Sequence, residues 1–100
     1  MTNKNETTSL PQNSYSVGDV VEGEVAVEKP FGFFVRISKN DFGLLKVANL
    51  TDENSPSKQN RPSIGETLTT IIIEADLTKE GWRLNLSQRK SDFLKYGRGK

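Results

Sequence analysis

The chain has 100 residues, 33% of them hydrophobic, and 14 lysines and arginines against 13 aspartates and glutamates. That length fits one small domain with a single core and excludes a second folded unit within it. There is no histidine and no cysteine, which excludes disulfides, thiolate nucleophiles, imidazole bases and the usual zinc ligand sets, and leaves any enzymatic chemistry to carboxylates, lysines and hydroxyls.

Residues 1–16 (MTNKNETTSLPQNSYS) are rich in Thr, Asn and Ser, hold Pro11 and show no hydrophobic period, so they read as a disordered segment. They lack the apolar run of a secretory signal. No stretch of the chain approaches the roughly 20 apolar residues that span a bilayer. The expectation is a soluble cytoplasmic protein with no membrane partner.

From residue 17 to about residue 89, short β-branched and aromatic runs alternate with Gly, Asn, Asp and Pro, without a helical stripe, which predicts an all-β domain. A first strand over residues 20–27 turns Val21, Val25 and Val27 to one side and Glu22, Glu24 and Ala26 to the other. A second, residues 33–37, points Phe33, Val35 and Ile37 inward and Phe34 and Arg36 outward. A bulge at Gly32 would let Phe31 join Phe34 outside. SKND at residues 38–41 is a turn by composition. The third strand, residues 43–47, turns Leu45 and Val47 in and Lys46 out. Residues 51–63 form a long polar loop with Pro56 and Pro62, in which Lys58 and Arg61 favour ordering on a polyanion. In a fourth strand, residues 68–75, Leu68, Thr70 and Ile72 alternate before Ile71 and Ile73 break the pattern, which suits either a strand shared between two packed regions or one that bulges at a barrel corner. Residues 78–81 turn a hairpin into the fifth strand, residues 83–87, with Leu84 and Leu86 inward and Arg83 and Asn85 outward. Phe93, Leu94 and Tyr96 predict one amphipathic turn that docks on the barrel before Gly97. Residues 88–100 carry Arg89, Lys90, Lys95, Arg98 and Lys100 against Asp92, a net +4 that leaves −3 on the remainder. A polyanion site must therefore be a local patch, with the tail either an added electrostatic contact or a solvated end.

Five short strands with a longer connection between the third and fourth fit a five-stranded antiparallel Greek-key barrel of the OB type. KPFGFFVRI at residues 29–37 and GLLKVANL at residues 43–50 set aromatic rings and the cations Lys29, Arg36 and Lys46 on one face of it. That combination suits unstacked bases and phosphates, hence single-stranded nucleic acid. Phe31 and Phe34 have a second reading as rings packed under the long loop or the carboxyl-terminal turn. Trp82 reads equally as a hydrophobic cap and as a stacking surface. The glycines are scattered at turns and form no phosphate-cradling loop. No carboxylate pair or activated nucleophile stands out. The expectation is a non-enzyme with no catalytic residues, no cofactor and no metal.

The order VGDVVEGEVAVEKPFGFFVRI, FGLLKVANL, IGETLTTIIIEAD, RLNLSQRK resembles the RNA-binding domain repeated in the largest protein of the bacterial small ribosomal subunit, the S-one domain, also found in polynucleotide phosphorylase. The resemblance runs over residues 17–90 and divides the chain into an amino-terminal tail (1–16), the domain (17–90) and a basic tail (91–100). It implies that Phe31 and Phe34 stack bases, and that Arg83 and Asp76 occupy the family's basic and acidic binding positions, with Trp82 added beside Arg83. Lys46 stands where the family has histidine and Ala48 where it has serine. A lysine pairs with phosphate but cannot stack, which implies weaker base contact and a steeper salt dependence. The implied partner is messenger or ribosomal RNA, bound by a monomer, on the ribosome or beside RNA-processing machinery. The competing reading is an OB barrel that docks on a protein of that machinery.

Overall fold

The computed structural model describes residues 14–52 and 61–97. Five strands follow in order, β1 (Val20–Lys29), β2 (Gly32–Arg36), β3 (Phe42–Lys46), β4 (Thr67–Thr78) and β5 (Gly81–Ser87), and then one short helix, α1 (Lys90–Tyr96). They close into a barrel in the spatial order β1-β2-β3-β5-β4. Four of the pairings are antiparallel; β3 against β5, which seals the ring, is parallel.

Inward side chains from every strand fill the barrel. Val25, Phe33, Val35, Leu45, Ile72 and Leu86 are fully buried and form one cluster with Leu50, Leu68 and Leu84. Each buried aliphatic or aromatic side chain contributes about 1.5–3 kcal/mol through burial, so this cluster is the main source of stability. Alternation fails at two places, and both failures are bulges. In β1 the register slips between Val25 and Val27. Val27, which strict alternation turns inward, is therefore on the outside, 39% exposed. In β4 the register slips between Ile72 and Glu74, within the apolar run for which a bulge is one of two readings. Ile71 and Ile72 lie ahead of the slip and alternate normally, so they are buried on opposite sides: Ile72 joins the barrel cluster, while Ile71 lies outside it on the strand against which α1 packs.

Gly32 is not a bulge. It pairs with Lys29 across the β1–β2 turn and with Lys46 across β2–β3, and Phe31 reaches the outside because Pro30 and Phe31 form the turn itself. Glycine is required there by closeness: a Cβ would lie 2.5 Å from the Leu45 carbonyl oxygen and 2.8 Å from the Lys46 Cα. The β4–β5 hairpin is longer than the sequence suggests, with Thr78 paired to Gly81, whose φ of +115° suits glycine.

The carboxyl-terminal segment docks, as its apolar residues predict. Ser87 Oγ donates to Asp92 Oδ2 (2.6 Å), Arg89 Nε donates to the same oxygen (2.8 Å), and the Arg89 backbone N–H donates to Ser87 Oγ (3.0 Å). Burial alone raises the Asp92 pKa, but the hydrogen bonds from Arg89 and Ser87 and the nearby charges of Arg89 and Lys95 outweigh it and hold the carboxyl below its ordinary value. Arg89 is thus a structural cation, while Arg98 and Lys100 fall outside the described residues. Of residues 1–16, the first 13 are also outside them. Tyr15 is in place: its hydroxyl donates to Asp41 Oδ2 (2.9 Å) and its ring stands edge-on to Trp82, 5.3 Å between centroids.

Candidate nucleic-acid interface

The outward side chains of β2, β3 and β5 form the site, and the register fixes their order. Val27 of β1 lies across from Phe34, Phe34 from Leu44, Leu44 from Asn85, and Asn85 from Glu74, so one row crosses all five strands. A second row begins with Arg36, which lies opposite Phe42. Because β3 and β5 run parallel with Gly43 beside Leu84, Phe42 and Arg83 lie side by side one residue earlier. Asp76 pairs directly with Arg83 and closes that row. Towards the other end, Lys29 and Lys46 both flank Gly32. Between the rows lies an open groove of about 350 Å³ lined by Phe34, Phe42, Leu44, Trp82, Arg83, Leu84 and Asn85.

The aromatic geometry discriminates among the rings. Phe31, at the turn, is 54% exposed, and its ring meets that of Phe34 at 87° with centroids 6.3 Å apart. Two perpendicular rings form a corner, so their faces cannot both lie flat against one planar group. Phe42 has the Arg36 guanidinium over its ring at 5.5 Å, which covers one face with a cation. Trp82 packs against the core, as a hydrophobic cap does, and one side of it also lines the groove.

Charge is arranged around this strip. The exposed Lys29 and Lys46 lie at the Phe31 end, and the exposed Arg36 and Arg83 at the Phe42 end. Glu74 and Asp76 line the β4 border, where they disfavour phosphate. The structure thus gathers Phe31, Phe34, Arg36, Lys46, Lys29, Arg83 and Trp82 around one groove and puts Asp76 at its rim. Sequence reasoning missed Phe42, Leu44 and Asn85 as members of the site. The signal for the first two was there: Phe42, Leu44 and Lys46 alternate with the inward Gly43 and Leu45. Arg61, read as a loop cation, instead lies over the buried Phe33 ring at 5.6 Å. Among the described residues no cluster of acidic side chains has the makings of a metal site, and no helix is long and apolar enough to cross a membrane.

A closed five-stranded barrel with this order and an open aromatic groove over β2, β3 and β5 is an OB-type barrel. Within that class the chain belongs to the S1 RNA binding domain family, whose model matches residues 14–87. It is 42% identical over 74 residues to the small ribosomal subunit protein bS1 of Staphylococcus saprophyticus, covering 74% of this chain and 18% of that protein. It is 32% identical over 73 residues to the polyribonucleotide nucleotidyltransferase of Chloroflexus aurantiacus, covering 73% of this chain and 9% of the relative. The chain therefore spans less than a fifth of the length of these relatives. Its fold is similar to the solution structure of GSP13 from Bacillus subtilis, with a TM-score of 0.65 at 20% identity over 87% of this chain and 62% of that one. A similar match is to the intact alpha subunit of aIF2 from Pyrococcus abyssi, with a TM-score of 0.67 at 15% identity over 80% and 31%.

Proposed function

We propose that this chain is a non-catalytic module that binds single-stranded RNA across the outer face of β2, β3 and β5. The observation that carries the reading is the apolar strip Phe34–Leu44–Phe42 with a pair of cations at each end. A base stacks on the free face of Phe34 in the corner made with Phe31. Lys29 and Lys46 take phosphates on one side, and Arg36 and Arg83 take them on the other. The acidic border of Glu74 and Asp76 keeps the backbone off β4. Base stacking is tolerant of sequence and a groove of this size covers about 4–16 nucleotides, so binding is weak and of low sequence preference. Family membership supports RNA as the ligand. The similarity to a ribosomal protein and to a polyribonucleotide nucleotidyltransferase supports work in translation or RNA processing, and our reading is of a monomer in the cytoplasm.

The test uses Trp82, the single tryptophan of the chain, whose place in the groove makes its fluorescence a reporter. Titration with a short unstructured RNA changes Trp82 emission saturably. In the double variant Phe34→Ala with Lys46→Ala the response is lost while the circular dichroism spectrum and the unfolding transition persist. Undiminished RNA binding by a folded double variant would overturn the reading and favour a protein-docking surface.

A further inference from the structure

Among the described residues one buried side-chain polar atom has no hydrogen-bond partner, and it belongs to the groove. Asn85 lies on the floor, flanked by Leu44 on β3 and Glu74 on β4. Its Nδ2 donates to Glu74 Oε1 at 2.6 Å. A carboxylate accepts and cannot donate, so this contact fixes which end of the amide is nitrogen and turns Oδ1 away from Glu74. Asn85 Oδ1 is buried and receives no hydrogen bond. A buried acceptor left without a donor costs stability, and groups of this kind call for an explanation.

The position of Asn85 says which donor fits. Phe34, where a base stacks, is two strands away across Leu44, about 10 Å at the usual strand spacing. Arg83, a phosphate cation in the same reading, is two residues back on the same strand. A nucleotide laid from Phe34 towards Arg83 passes its sugar over Leu44 and Asn85. The donor that a sugar offers is its 2′-hydroxyl, which is what separates RNA from DNA.

We infer that Asn85 is the residue with which this groove distinguishes ribose from deoxyribose: its Oδ1 accepts a hydrogen bond from the 2′-hydroxyl of the nucleotide seated on Phe34. Glu74 is the positioning residue that holds the amide in the accepting orientation. That oxygen has no exposed surface in the ligand-free chain, so the contact requires the side chains over it to move aside. The inference rests on the stacking reading, because Phe34 sets where the sugar falls.

The experiment is a set of anisotropy titrations with three labelled oligonucleotides of one uracil sequence, carrying 2′-hydroxyl, 2′-fluoro or 2′-hydrogen sugars, at a single salt concentration. The fluoro sugar keeps a ribose-like pucker but has no donor. The wild-type chain binds the hydroxyl form about two- to tenfold more tightly than the fluoro form, the range for one net hydrogen bond. Asn85→Ala brings the affinities for the hydroxyl and fluoro forms together, so the ratio between them falls to about one. Equal wild-type affinity for the hydroxyl and fluoro forms overturns the Asn85 assignment, with no variant required. So does a variant that weakens both forms alike, since that pattern marks a purely structural role. Wild-type failure to bind any of the three would instead sink the stacking reading itself.

Discussion

Replacing Phe34 by leucine removes a flat face and little else. The side chain is half-buried between Val27 and Leu44, and leucine keeps an apolar filling there, so the stability change stays within about 1.5 kcal/mol, as for other apolar swaps of similar volume. Phe31 stands perpendicular to Phe34, so one base at most stacks on the Phe34 face. One stacked base is worth about 1–3 kcal/mol, which at about 1.4 kcal/mol per factor of ten weakens binding roughly five- to 150-fold. No phosphate contact is lost, so the slope of log affinity against log salt stays where it was in the parent chain. The assay is fluorescence anisotropy with a labelled single-stranded RNA at three salt concentrations, with thermal unfolding of both proteins alongside. A folded Phe34→Leu chain with parental affinity, or one whose salt slope has flattened, refutes the stacking assignment.

Lys46→Ala is expected to do the converse, lowering affinity while reducing the salt slope by about 0.7, the value of one phosphate contact on a single strand; the same titrations read it. Asp92→Asn removes the charged acceptor of Ser87 and Arg89 and lowers stability by about 1–3 kcal/mol, measured by urea unfolding at neutral pH. Because the Asp92 pKa is depressed in the folded chain, its contribution is present above the ordinary carboxyl value of 3.8 and is lost as pH falls below it, so the variant should show a flatter decline in midpoint towards acid than the parent. Gly32→Ala drives a Cβ against the backbone of Leu45 and Lys46 and costs about 1–3 kcal/mol as an overpacked position, visible as a lowered unfolding midpoint.

The inward halves of the strands were legible because period-two alternation survives in β2, β3 and β5: Phe33, Val35, Leu45, Leu84 and Leu86 are where alternation puts them, all buried. The β4 run left two readings open, a strand packed on both faces or a bulge, and both occur: Ile71 and Ile72 are buried on opposite sides and the register slips after Ile72. Val27 was not, because the β1 slip beside Ala26 leaves no mark in a run of valines and a small alanine. For the groove, rings and cations were readable as residue types, but their meeting depends on the β3–β5 closure. That parallel pairing joins strands about 40 residues apart in the chain, and no local pattern announces it. Asn85 enters the groove only through this closure. Arg61 and Arg89 read as surface cations because nothing in the sequence reveals the Phe33 ring beneath one or the buried Asp92 beside the other.

A backbone amide NMR titration with a short unstructured RNA at two salt concentrations tests the central claim most directly. The account predicts salt-sensitive shifts clustered at Phe31, Phe34, Arg36, Phe42, Lys46, Arg83 and Asn85, with β1 residues around Glu22 silent. Shifts confined to α1 and the residues after it, or no shifts on the β2–β3–β5 face, would contradict it.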